Sequence, residues 1–291
     1  MKKIYLIVLV GMMALNMYAQ KIRYFDTLGK QLEPDRKVVY KTIGQRSLSL
    51  HIFHPEGFKA GDRRPVFVTY HGGGWSGMSA KYFYPYADEF AKHGMVGISV
   101  EYRLFNMKQG VTVFDCVKDA RSAIRFIRKN AERLGIDPDR IVANGGSAGG
   151  HLAASTALFD EINDDQDDLS VSCRPELLVL HYPVIDTSAE GYGQKKIGER
   201  WRELSPVDRV KPGLPPTLLL HGTKDTVTPF AGAERFYQAM QAAGNTCEMI
   251  THEGGGHGYF LYEKALFDKA MSQTLDFIRR HLRLDDVNAG L

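Results

Sequence analysis

Ile141-Val142-Ala143-Asn144-Gly145-Gly146-Ser147-Ala148-Gly149-Gly150-His151-Leu152-Ala153-Ala154 is a short apolar run, a G-x-S-x-G frame and the start of a helix-forming stretch. The apolar run suits a buried strand, and His151 to Leu158 suits a helix. Between them only five small residues turn the chain. Such a turn holds a serine hydroxyl out from the backbone, beside the N–H groups at a helix start. A serine is a weak nucleophile unless a base stands against it, so the motif directs attention to the rest of the chain.

Working outward, runs of the same short apolar kind occupy 65–70, 95–100, 140–143, 176–180 and 216–220. They are nearly continuous in Val, Ile and Leu, as strands buried on both faces of a parallel sheet are. Helical stretches lie between and after them at 81–93, 113–134, 149–159, 231–243 and 264–281. In the second of these, Val117, Ala120, Ile124 and Ile127 recur at helical spacing, with Lys118, Arg121, Arg125 and Arg128 outside the apolar stripe. Two β-rich runs, 38–43 and 48–53, flank Gly44-Gln45 and read as a hairpin. An antiparallel start followed by alternating strands and helices predicts a three-layer α/β fold with a mostly parallel sheet, whose site lies beyond the C-terminal strand ends.

The chain of 291 residues, 44% hydrophobic and 24% charged, suits one globular domain over 20–291. Residues 1–19 read as a secretory signal peptide: Lys2 and Lys3, an apolar run over 4–15, then Ala19 before Gln20. No cysteine stands near that cleavage point, so export to the periplasm or beyond without a membrane anchor is expected. The formal net charge is only +3, and two of the positive charges, Lys2 and Lys3, fall in the leader. A near-neutral chain has little to offer a nucleic acid. Cys116, Cys173 and Cys247 lack metal-ligand spacing, and one disulfide among them stays open. The acidic stretch 159–175 reads as a solvated loop, with no spacing that requires a metal. The long irregular segment 186–215 is read either as a cover for the sheet edge or as a small lid.

Three further loops carry the chemistry. His71-Gly72-Gly73-Gly74-Trp75 follows the run 65–70, and its glycines let N–H groups face a cavity. Gly72, Gly73 and Ala148 are the candidate oxyanion donors, with His71 buttressing the loop. His221-Gly222-Thr223-Lys224-Asp225 follows the run 216–220 and supplies Asp225 as the acid, with Asp186 as the rival position. Glu253-Gly254-Gly255-Gly256-His257-Gly258 precedes the last helix and supplies His257 as the base, while His252 and His151 read as structural. Ser147, Asp225 and His257 stand in the chain order Ser, Asp, His, unlike the other serine-triad orders.

With these loops, and with Glu101-Tyr102-Arg103-Leu104 and Gly135-Ile136-Asp137-Pro138-Asp139-Arg140, the sequence resembles the α/β-hydrolase superfamily. It is most similar to HGGG-bearing esterases related to hormone-sensitive lipase and to the bacterial feruloyl and acetyl esterase-like group. That resemblance implies a serine carboxylesterase without metal or organic cofactor, acting on short acyl esters of small molecules or oligosaccharides, acetylated xylan among them. Gly146 stands where relatives of hormone-sensitive lipase carry Asp, and residues 20–37 are too few for their helical cap. Both departures favour the carbohydrate-esterase branch. The rival readings are a peptidase of the prolyl-oligopeptidase type and a non-catalytic binding protein on a hydrolase scaffold.

Overall fold

The computed structural model describes residues 23–282, so the leader reading of 1–19 lies outside the described residues. Strands β1 (Arg36–Ile43) and β2 (Arg46–Phe53) form the expected hairpin around Gly44, whose φ of 56° needs a glycine. Six more strands follow: β3 (Arg64–Tyr70), β4 (Val96–Val100), β5 (Ile136–Gly146), β6 (Leu177–His181), β7 (Thr217–Gly222) and β8 (Cys247–His252). They make one eight-stranded sheet in the order β1-β2-β4-β3-β5-β6-β7-β8. β2 runs antiparallel to both of its neighbours, and every pairing from β4 to β8 is parallel.

Helices cover both faces, which is why the central strands are apolar throughout rather than alternating. On one face α3 (Val113–Lys129), α5 (Ala148–Leu158) and α7 (Phe230–Ala242) pack over Val66, Val68, Ile98 and Leu219. On the other, α1 (Tyr24–Gly29), α2 (Tyr84–Lys92) and α8 (Lys264–Leu282) cover Phe67, Val142, Val179 and Leu218. Phe67 and Phe90 stack there at 3.8 Å. The sheet order puts β3 between β4 and β5, so the chain reverses direction of winding at β3. Tyr70 pairs with Gly145 in register, and the loops leaving β3 and β5 therefore emerge side by side. That crevice is where an open α/β sheet binds its ligand.

Two expectations change. The helix expected over 113–134 stops at Lys129. Asn130 leaves helical geometry, a short α4 (Ala131–Leu134) follows, and Gly135 at φ 66° turns the chain into β5. More consequential, Arg121 and Arg125 are buried rather than solvated, at 3% and 7% exposure. The acidic stretch folds over them: Arg121 donates to the Asn163 side-chain oxygen at 3.0 Å, and Arg125 to Asp167 at 2.7 Å and Asn163 at 2.6 Å. Arg128 reaches Glu176 at 2.6 Å. The loop at 159–175 is thus an ion-paired strap, because planar guanidinium forks match carboxylates and carbonyls. Among the described residues no group of three or more His, Cys, Asp or Glu is placed to hold a metal ion. All three cysteines are buried and unpaired.

The strap ends at a buried charge cluster. Asp119, fully buried, accepts from Lys41 at 2.8 Å and from the Arg103 fork at 2.8 and 2.9 Å. Removing one partner of such a cluster strands the others without compensation. Asp119→Ala is expected to lower stability by about 3–5 kcal/mol, read as a shift of the guanidinium midpoint. An unshifted midpoint would mean that Asp164 and Asp115, which already touch Lys41 and Arg103, take over both cations.

Candidate active site

Ser147 sits between the end of β5 and the start of α5 with φ 57° and ψ −123°, one of few non-glycine residues at positive φ. A backbone held there costs about 1–3 kcal/mol and persists only where its surroundings over-determine it. The surroundings are two crossing bonds: Ser147 N–H donates to the His181 carbonyl at 3.0 Å, and Val184 N–H donates to the Ser147 carbonyl at 3.0 Å. The small residues of the motif have a steric reason too. A Cβ on Gly149 would run into the Tyr70 carbonyl, so only glycine lets α5 approach β3 so closely.

His257 stands between serine and carboxylate. Ser147 Oγ lies 3.0 Å from His257 Nε2, and His257 Nδ1 lies 2.8 Å from Asp225 Oδ2. Asp225 is 5% exposed and accepts from the N–H groups of Val227 at 2.8 Å and Thr228 at 2.9 Å. Burial alone would raise its carboxyl, but the hydrogen bond and charge of His257 and the two N–H donors outweigh burial and hold it below the ordinary range. The Thr228 hydroxyl donates to Asp225 Oδ2 at 2.9 Å, and His221 Nε2 in turn donates to the Thr228 carbonyl at 2.8 Å. These bonds hold the carboxylate, so its direction toward His257 is set by the loop after β7 as a whole.

The other sequence candidates are accounted for. Asp186 pairs with Arg235 and caps the Ser188 N–H instead of meeting His257. His151 is fully buried, with Nε2 donating to the Leu204 carbonyl at 2.8 Å. His252 stacks on Tyr259 at 4.3 Å. His71 is buried behind the glycine loop, 2.9 Å from the Gly72 carbonyl. Gly72 lies against the elbow: a Cβ there would stand 3.0 Å from the Gly146 carbonyl and 3.4 Å from Ser147 Cβ. Ala148 is the first residue of α5, where a helix leaves N–H groups without partners in the preceding turn.

Ser147, His257, Gly72, Gly73 and Gly74 line a cleft of about 370 Å³. Its walls include residues that sequence reasoning did not single out. Phe25 and Arg23, at the start of α1, reach it from the far N-terminal side, and Tyr182 supports it from beneath, its ring 4.9 Å from His257. Tyr182 itself holds φ at 36°, and no sequence signal marks it. Thr228 was legible in principle, since a Thr three residues after an Asp is a common side-chain-to-backbone turn. Of the segment 186–215, Tyr192 forms part of the wall, and Lys196 Nζ, on the short helix α6 (Gln194–Ile197), donates to the Gly74 carbonyl at 2.8 Å. In the aromatic cluster 82–86, Tyr84 and Tyr86 are buried in packing, whereas Tyr82 is 48% exposed on the cleft rim. Val227 and Tyr262, also exposed, join it there.

A family model described as BD-FAE matches residues 50–240. Among curated proteins, the chain is 26% identical over 282 residues to the isoprenylcysteine alpha-carbonyl methylesterase ICME of Arabidopsis thaliana, covering 84% of this chain and 62% of that protein. It is 29% identical over 175 residues to endo-1,4-beta-xylanase B of Butyrivibrio fibrisolvens, covering 55% of this chain and 28% of that one. The chain thus spans less than two thirds of these relatives' length. Among solved structures, Thermogutta terrifontis esterase 2 phosphoramylated by tabun is 36% identical with a TM-score of 0.81, covering 89% of this chain and 97% of that one. The propionate-bound form of the same esterase matches with a TM-score of 0.78 at 36% identity, over 84% of this chain and 93% of that one.

Proposed function

The chain belongs to the BD-FAE family, and on that premise we propose that it is a serine carboxylesterase cleaving short acyl esters, acetyl groups on plant-type carbohydrates such as xylan above all. The observation that carries the chemistry is the unbroken line from Ser147 Oγ through His257 to Asp225 Oδ2, with links of 3.0 and 2.8 Å. His257 Nε2 takes the Ser147 proton as Oγ bonds to the ester carbonyl carbon. The carbonyl π electrons move onto oxygen, which the N–H groups of Gly72, Gly73 and Ala148 receive. As the oxyanion collapses, the C–O bond to the alcohol breaks and the alcohol leaves with the proton from His257. Water, deprotonated by the same nitrogen, then attacks the acyl-serine; collapse returns the proton to Ser147 Oγ and releases the acid. Asp225 keeps the Nδ1–H tautomer and balances the imidazolium charge throughout.

Short acyl groups are supported by the solved relatives, which carry propionate or butyrate by title. The carbohydrate alcohol is supported by the xylanase relative. The exposed faces of Tyr82 and Tyr262 give the rim flat amphipathic surfaces that suit a sugar ring. Export by the leader at 1–19 is part of the same proposal. Acetate release from acetylated xylo-oligosaccharides, with p-nitrophenyl acetate and butyrate alongside and Ser147→Ala as the blank, tests it. Sugar deacetylation by the wild type alone supports the whole reading. Turnover of the nitrophenyl esters only removes the carbohydrate, and no turnover of any ester removes the esterase.

A further inference from the structure

In a planar trans peptide the N–H of one residue points opposite to the carbonyl of the residue before it. Whatever grips that carbonyl therefore aims the N–H. The N–H of Gly72 shares its peptide with the His71 carbonyl, which accepts from the Tyr102 hydroxyl at 2.7 Å. The N–H of Gly73 shares its peptide with the Gly72 carbonyl, which lies 2.9 Å from His71 Nδ1 and 3.3 Å from the Tyr102 hydroxyl. The Tyr102 ring lies flat on the His71 imidazole, centroids 4.2 Å apart and planes 19° apart. Both side chains are buried, at 2% and 1% exposure.

The donors match the acceptors. Burial lowers His71 to about 4, so near neutrality it is uncharged and carries a single N–H, which the Gly72 carbonyl claims at Nδ1. Burial also raises the Tyr102 phenol well above its ordinary value, so its one proton remains for the His71 carbonyl. Tyr102 is itself held from both sides. Glu101 N–H donates to the Ser49 carbonyl at 3.0 Å, and Arg103 N–H to Asp119 at 3.0 Å. The grip has something to resist, because Gly73 at φ 95° and Gly74 at φ 58° belong to a run whose peptides rotate at little steric cost.

We propose that Tyr102 is a positioning residue of this site: its hydroxyl aims the Gly72 N–H through the His71 carbonyl, and through the His71 imidazole it steadies the Gly73 N–H. The proposal rests on the reading of Gly72 and Gly73 as oxyanion donors. Its signature is a loss felt only when an anionic oxygen forms. Tyr102→Phe keeps the ring stack and removes the donor. Misaimed rather than deleted donors should lower kcat by about tenfold to a hundredfold, with KM for p-nitrophenyl acetate within about threefold. Affinity for phenylboronic acid, whose tetrahedral adduct on serine is anionic, should fall with kcat. A purely structural role would lower the melting temperature and leave that affinity alone.

Labelling separates the two layers. Paraoxon should modify the wild type once and Ser147→Ala not at all; a wild type that takes no label removes the esterase-site reading itself, whatever Tyr102 does. With labelling intact, a Tyr102→Phe enzyme whose kcat or boronate affinity stays within twofold of wild type overturns the positioning role. The second variant carries 4-aminophenylalanine at 102, which restores an N–H donor at the same place. Recovery to within about threefold of wild-type kcat is expected, and a folded protein with kcat tenfold or more below wild type overturns the proposal even where the Phe variant does not fold.

Discussion

Ser147→Ala is expected to lower kcat for p-nitrophenyl acetate by about a millionfold while leaving the cleft able to bind ester. The size follows from the geometry. Ser147 Oγ is the only atom of the elbow within hydrogen-bond reach of His257 Nε2, at 3.0 Å, and no second hydroxyl stands on that nitrogen among the described residues. Without Oγ, attack must come from water that nothing in the strained turn orients. Asp225→Asn is expected to cost less, about ten-thousandfold, because the amide still meets His257 Nδ1 but favours the wrong tautomer. Both losses are read from progress curves on pure protein, with circular dichroism confirming the fold. Ser147→Ala retaining more than about one per cent of wild-type turnover would sink the proposed mechanism, because no other described group could replace Oγ.

Stability is expected to fall steeply as pH drops from about 6.5 toward 4, driven by three buried histidines. Burial lowers His71 and His151 to about 4 and His181 to about 3, each below the ordinary value. His71 and His151 each donate one bond to a carbonyl, which offsets part of that burial. Among the described residues His181 Nε2 has no such partner, and the ring lies among Tyr86 and Phe260, so its neutral form is favoured most. Below about pH 6.5 the unfolded chain takes up three protons that the folded protein refuses until about pH 4 or lower, so stability declines with falling pH. At about 1.4 kcal/mol per unit and per histidine, the three together should remove about 6 kcal/mol between pH 7 and pH 5.

Guanidinium unfolding at the two pH values measures this. His181→Phe, which keeps a flat ring in the aromatic cage, should flatten the dependence by about a third. A wild-type midpoint equal at pH 7 and pH 5 would show that these rings accept protons in the folded state. Carboxylates held low, such as Asp225 and Asp164, act in a different window. Their charged forms are favoured by folding, so their contribution is complete above the ordinary carboxylate range and is lost only in stronger acid.

Much of the fold was legible because the period of the apolar residues is a local property. Runs such as 65–70 and 216–220 are buried on both faces, and a run of that kind has few alternatives once helices alternate with it. The loops were legible for a related reason. A nucleophile, a base and oxyanion donors each need a turn chemistry that glycine and small residues advertise, and the order Ser147, Asp225, His257 restricts how those turns can meet. Arg121 and Arg125 were misread by the same logic. Helical periodicity places a guanidinium off the apolar stripe, and only the distant strap at 159–175 decides whether water or the side chains of Asn163 and Asp167 receive it.

The amino-acid sequence by itself determined the alternation of strands and helices, the elbow at Ser147 and the three loops that accompany it, because each is written in residues adjacent along the chain. Tertiary structure alone decided what those loops face. The pairing of Tyr70 with Gly145 brings the glycine loop to the serine, His257 meets Asp225 from the loop after β8, and Tyr102 reaches the backbone of His71 from the loop after β4. These contacts join residues far apart in sequence, and their energies come from burial and hydrogen-bond geometry that exist only once the sheet has formed.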